Sequence, residues 1–175
     1  AIRSSDGAFL PAVAADLENG PSSLKNVMAK VTALLLERYN AGGFPMAVVS
    51  MDNCSHNGEK LKASILTIAG EWEKKGFVPA DFVAWLDDET KVSFPWSMID
   101  KITPRPNADI AAELEKLGVE DMQIIPREKG APVAPFVNCE SSEYLVIEDR
   151  FPNGRPALEK AGVYMTDRDT VNKTE

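Results

Sequence analysis

The stretch Phe44-Pro45-Met46-Ala47-Val48-Val49-Ser50-Met51-Asp52-Asn53-Cys54-Ser55-His56-Asn57-Gly58 decides how the chain folds. Its first half is an almost uninterrupted apolar run, as expected of a short strand buried on both faces of a parallel sheet. Its second half is a polar turn. From about Gly58 to Lys75 the apolar positions Leu61, Ile65, Ile68, Ala69 and Trp72 recur with helical period, so a helix follows the turn. Upstream, Leu24, Val27, Met28, Val31, Leu34 and Leu35 form a similar stripe, which predicts a helix over Ser23 to Tyr39 with Ser22 or Ser23 as N-cap and Gly42-Gly43 as its end. Helix, strand and helix joined by short links make the middle of an α/β unit, in which ligands bind at the carboxyl ends of the strands.

Working outward, Ala80 to Asp88 is expected to form a short helix. The segment Lys91-Val92-Ser93-Phe94-Pro95-Trp96-Ser97-Met98-Ile99-Asp100-Lys101-Ile102-Thr103-Pro104-Arg105-Pro106 is dense in proline, so an extended connection across the surface is predicted there. A helix over Asp109 to Leu117 ends at Gly118, and Tyr144 to Ile147 and Val163 to Met165 are candidate strands around the turn-rich Phe151-Pro152-Asn153-Gly154-Arg155-Pro156.

Composition bounds the function. The 175 residues suffice for one ordinary domain, and 44% hydrophobic with 26% charged residues is the balance of a soluble globular chain. A formal charge of -8 with no basic stripe argues against a nucleic-acid partner. No apolar run approaches the length of a membrane span and no secretion signal opens the chain, so no membrane partner and a cytoplasmic location are expected. Cys54 and Cys139 lie far apart without metal-ligand spacing, and His56 has no second histidine to join it, so neither a disulfide framework nor a bound metal is indicated. The opening at Ala1 and the close on a polar, helix-like Asp167 to Glu175 fit a piece of a longer polypeptide.

In the turn, Asn53 can donate an amide N–H to a substrate oxygen, and the free N–H groups of a helix start favour negative charge, so the segment can hold a polarised carbonyl or alkoxide. Equally, Asp52, Asn53 and Asn57 can cap the helix and shape the turn. His56 reads as a general base or as a turn histidine. Asp100 can accept hydrogen bonds from substrate hydroxyls or pair with Lys101 or Arg105. Arg155 can grip a carboxylate or tie down its own turn. No GxGxxG or P-loop pattern is present.

Three blocks, in order, resemble one family. Val48 to Gly58, containing Asp52-Asn53, is similar to the "SCDN…NG" block of the long-chain mannitol dehydrogenases, a family that includes mannitol 2-dehydrogenases and fructuronate and tagaturonate reductases. Phe94-Pro95-Trp96-Ser97-Met98-Ile99-Asp100-Lys101-Ile102-Thr103-Pro104 resembles its "FP-x-x-M-V-D-R-I-T-P" block, and Phe151 to Val163 its "FPNGRPxxEKxGV" block. The resemblance implies an α/β fold made of the C-terminal half of a Rossmann-like dinucleotide-binding domain, over residues 1–106. A linker and the beginning of a mostly helical substrate domain would then follow over 107–175.

The implied activity is hydride transfer between NAD or NADP and a secondary alcohol of a polyol or sugar acid, without a metal, in a parent enzyme of which this piece alone would be inactive. By the matching blocks, Asn53 corresponds to an oxyanion-hole asparagine and Asp100 to an aspartate that contacts substrate hydroxyls. The family's catalytic lysine, followed by an asparagine and a histidine, is expected shortly after the third block, and most of the cofactor site upstream of the first. Lys101 stands where the family usually has arginine, and the segment from Glu71 to Val92 is longer than usual, which leaves the particular substrate open. The competing reading is a noncatalytic α/β ligand-binding or interaction module.

Overall fold

The computed structural model describes residues 1–100, 103–139 and 144–174, the side chain of Asp100 excepted. The chain divides into two compact units, one of Ala1–Met98 together with residues from Leu145 onward, the other of Ile99–Tyr144.

The first unit is built around α1 (Pro11–Asn19), α2 (Val27–Asn40), β1 (Met46–Ala47), α3 (Asn57–Lys74), α4 (Ala80–Asp87) and β2 (Val92–Ser93). The apolar face of α3 supplies Ile65, Ile68, Ala69 and Trp72, all fully buried, and α1, α2 and α4 cover it with Val13, Leu35 and Phe82. The expected stripe of α3 is therefore the one that packs. β1 and β2 run parallel, Met46 opposite Val92 and Ala47 opposite Ser93, with Val48 N–H donating to the Ser93 carbonyl at 2.9 Å.

Three local expectations change. The α2 helix starts at Val27 with Asn26 as its cap, four residues later than the periodicity suggests. The buried carboxylate of Asp16 accepts the backbone N–H groups of Lys25 and Asn26, at 3.0 and 2.7 Å to its nearer oxygens, and so pins that loop outside the helix. Ser23, with φ of 56°, lies in the left-handed region rather than capping. With that start the buried positions are Ala29, Thr32, Leu35 and Leu36, whereas Val27 and Leu34 face outward, 60% and 70% exposed.

The strand read across 44–51 pairs only at Met46 and Ala47, both half-buried, and Phe44 is 65% exposed. Among the described residues it has a neighbour along one edge only, so burial on both faces is not reached. Conversely, the first part of the proline-rich segment does not cross the surface, since residues 92–97 are all buried, whereas 103–105 are exposed as expected. Pro95 falls between β2 and β3 (Ser97–Asp100), where no ladder N–H is needed, so short strands form on either side of it.

β3 belongs to a sheet of order β3-β4-β5, with β4 at Tyr144–Glu148 and β5 at Tyr164–Thr166. β4 and β5 are parallel, Val146 opposite Tyr164 and Glu148 opposite Thr166, and a 3-10 turn over Leu158–Ala161 lies between them. Helix α6 (Arg168–Thr174) follows, and its Val171 buries fully against Trp96 and Val146. The second unit contains α5 (Ala108–Lys116), capped by the Asn107 side chain, and an isolated antiparallel bridge between Ile125 and Val133. No described helix is long and apolar enough to cross a membrane.

Candidate functional site

The polar turn after β1 is held from below by one side chain. Asn57, the first residue of α3, is 2% exposed. Its Nδ2 donates to the carbonyls of Asp52 and Ser97 at 3.0 and 2.9 Å and lies 3.3 Å from the Ser50 carbonyl and 2.9 Å from Ser97 Oγ. Its Oδ1 accepts the Ser97 N–H at 3.0 Å, and Ser97 Oγ donates to the Ser50 carbonyl at 2.5 Å. One amide thus joins the end of β1, the turn and the start of β3. Two protons shared among four acceptors leave no freedom to rotate, so the turn's base is fixed.

The next residue shows why that approach is possible. A Cβ on Gly58 would stand 2.4 Å from the Phe94 carbonyl and 2.8 Å from the Pro95 carbonyl, so only glycine lets the helix start lie against that backbone. His56, just before α3, is left-handed at φ 56° and ψ 39°. Its ring stacks on Trp96 with centroids 4.5 Å apart, and its Nε2 lies 3.0 Å from Oδ1 of Asn172 in α6. The other face of this corner is organised by Glu148, a buried carboxylate whose Oε2 accepts the Trp96 N–H at 3.1 Å and whose Oε1 accepts from Arg168 Nε at 3.1 Å. The Arg168 guanidinium also lies 5.0 Å from the centre of the Trp96 ring.

Above this base, Asn53 is exposed at the tip of the turn, and no described group hydrogen-bonds its amide. Beside the turn is an open hollow of about 540 Å³, lined by Ser50, Asp52, Cys54 and Asn57 and, across from them, Arg3 and Lys60; Asn53 is not among its walls. Asp100 closes β3, but its side chain, like Lys101, lies outside the described residues. Arg155 takes the turn-tying role: it bonds Asp149 through Nε at 2.9 Å and through Nη2, and Glu159 through Nη1 at 2.5 Å. Both cysteines are free thiols, and among the described residues no cluster of histidine, cysteine or acidic side chains could hold a metal ion.

Asn57 and Glu148 are the organising residues that sequence reasoning missed. Asn57 was visible only as one of several cap formers, because its partner Ser97 is 40 residues away. Glu148 ends an apolar strand, and an acid in that place was the available signal.

The profile of the mannitol dehydrogenase Rossmann domain matches residues 11–160. The chain belongs to the mannitol dehydrogenase family. Within that family it is 52% identical to the D-mannonate oxidoreductase of Thermotoga maritima, over 99% of this chain and 32% of the relative. It is 36% identical to a polyol:NADP oxidoreductase of Gluconobacter oxydans, over 95% of this chain and 31% of that protein. Among solved structures, the mannitol 2-dehydrogenase of Pseudomonas fluorescens, in ternary complex with NAD and D-mannitol, superimposes with a TM-score of 0.69 at 35% identity, over 95% of this chain and 30% of the other. A substrate-free D-sorbitol dehydrogenase gives 0.70 at 33% identity, over 97% and 31%. The chain spans about a third of the length of the relatives it matches. Its mixed helix-and-sheet structure is accordingly part of a family member's Rossmann fold.

Proposed function

We propose that this chain is the central stretch of a cytoplasmic oxidoreductase that moves a hydride between NAD(P) and a secondary alcohol carbon of an open-chain sugar acid or polyol. The observation that carries this reading is the exposed amide of Asn53, presented at the tip of a turn whose base Asn57 fastens to β3. An amide donor held on a fixed turn at the carboxyl end of a strand is preorganised for an alkoxide that forms nearby. Asn53 would donate its Nδ2–H to that oxygen. Asp100, two residues beyond Met98 on the strand that Asn57 anchors, would accept hydrogen bonds from neighbouring substrate hydroxyls.

When bound, the nicotinamide would give up the hydride in its reduced form and accept it in its oxidised form. The residues present fit only part of it. The chain's closest backbone approach at a glycine, Gly58, is filled by Phe94 and Pro95 rather than open to a pyrophosphate, so the dinucleotide's phosphates would rest on regions outside these 175 residues. Of the two substrate types, the 52% identity to a mannonate oxidoreductase favours the sugar acid, mannonate and fructuronate, over mannitol and fructose.

Turnover of D-mannonate and D-mannitol by the full-length protein, with NAD and with NADP, tests the reading. Asn53→Ala is expected to lower kcat about 100- to 1,000-fold while leaving the cofactor Kd in place. Equal losses in both would make the asparagine merely structural. Residues 1–175 alone are expected to transfer no hydride; robust turnover by the isolated stretch would overturn that part.

A further inference from the structure

Helix α6, described over Arg168–Thr174, is fastened by the side chains it sets against the turn and the sheet. Asp167 starts it, accepting the Thr170 N–H at 2.9 Å and the Thr170 hydroxyl at 2.9 Å, and these bonds hold its carboxyl below the usual carboxylate range. Three side chains then face one way: Arg168 over Trp96 and onto Glu148, Val171 buried against Trp96, and Asn172 onto His56. Spaced three and four apart, they form one helical face. Trp96 is its platform, and the same indole carries the stacked ring of His56 from the turn.

His56 sits in a left-handed conformation that costs a non-glycine residue about 1 kcal/mol and persists only where surrounding contacts impose it. The stack on Trp96 and the bond to Asn172 are such contacts. With a proton on Nε2 the ring donates to Asn172 Oδ1, which makes the link directional.

We propose that His56 is a positioning residue: standing on Trp96 and latched by Asn172, it fixes the rotation and approach of α6 relative to the turn that carries Asn53. In its kinetic consequence this rests on the hydride-transfer reading, in which catalytic side chains follow on from α6. In its mechanical content it does not. His56 and Asn172 are both exposed, so truncating either leaves the core intact.

The test uses the full-length protein with His56→Ala, Asn172→Ala, the double variant and Asn172→Asp, which keeps an acceptor oxygen in place. Amide hydrogen exchange over residues 168–174 is expected to quicken about ten-fold in each alanine variant and to stay near wild type in Asn172→Asp. The alanine variants should lose about 10- to 100-fold in kcat with D-mannonate, with cofactor Kd within about two-fold, as misplacement of a reacting group does. The double variant should lose no more than the worse single one, because both cut the same link. Unchanged exchange in both alanine variants, additive losses in kcat, or failure of Asn172→Asp to rescue would overturn the proposal. Turnover of D-mannonate and D-mannitol by the unaltered full-length protein, assayed in parallel, separates the two failures: if neither is turned over, the hydride-transfer reading falls, and the exchange data alone decide whether His56 latches α6.

Discussion

Among the described residues, the polar turns after β1 and after β4 are fastened in opposite ways. The turn after β1 is tied by Asn57, a neutral amide 2% exposed, to a strand 40 residues further on. The turn after β4 is tied by Arg155, whose side chain is 46% exposed, to acids only six and four residues away. A buried neutral bond is undiminished by water or salt, and breaking it leaves its partners stranded in the interior. An exposed ion pair competes with water at every moment. The first arrangement therefore sets tertiary geometry, and the second tidies a local loop.

The contrast is sharpest at the two glycines. At Gly58 a methyl group would meet two backbone carbonyls that cannot move aside, so Gly58→Ala should destabilise the protein by about 3 kcal/mol or leave it insoluble. At Gly154 a Cβ would meet nothing within 4 Å, and only the φ of 96° is unfavourable to a side chain; Gly154→Ala should cost about 1 kcal/mol. Chemical denaturation of both variants compares them. A cost at Gly58 no larger than that at Gly154 would show that the Phe94 and Pro95 backbone can give way to a methyl group.

Next in size is the clamp itself. Asn57→Ala leaves the Ser97 N–H without its acceptor in a buried place, and a loss of about 2 kcal/mol in unfolding free energy is expected. Because Ser97 begins the strand that ends at Asp100, the same change should lower turnover of the full-length protein more than its stability loss explains. A variant that is destabilised but turns over normally when folded would limit Asn57 to a structural role.

The sequence made some of this legible and hid the rest for physical reasons. Helices α3, α4 and α5 were readable because each shows its apolar face or its cap locally, as with Ile65, Ile68 and Trp72. The start of α2 was not, since the group that decides it is Asp16, a buried carboxylate nine residues before Lys25. The prolines suggested a surface strap, yet one proline between two short strands interrupts no ladder. At the site, the family blocks drew attention to Asn53 and Asp100. The residues that hold the site's frame, Asn57 and Glu148, act across 40 and 52 residues, a range on which local pattern is silent.

The smallest effect expected is at Arg155. Removing it should lower Tm by no more than about 2 °C at low salt and by less as salt is added. Hydrogen bonds from Arg155, and then its charge, hold the Asp149 carboxyl below its usual value of 3.8. A carboxyl lowered on folding contributes stability that is complete above its unfolded pKa and disappears as the pH falls through its folded one. The contribution is therefore present at neutral pH, fades below about pH 4, and should be absent throughout in Arg155→Ala. A plot of the Tm difference between wild type and variant against pH isolates what Arg155 contributes through its two carboxylate partners, Asp149 and Glu159, from the remaining carboxyls. A difference that stays level from pH 7 to pH 3 would mean that the guanidinium contributes packing over the turn and not charge, which would bring the second turn closer in kind to the first.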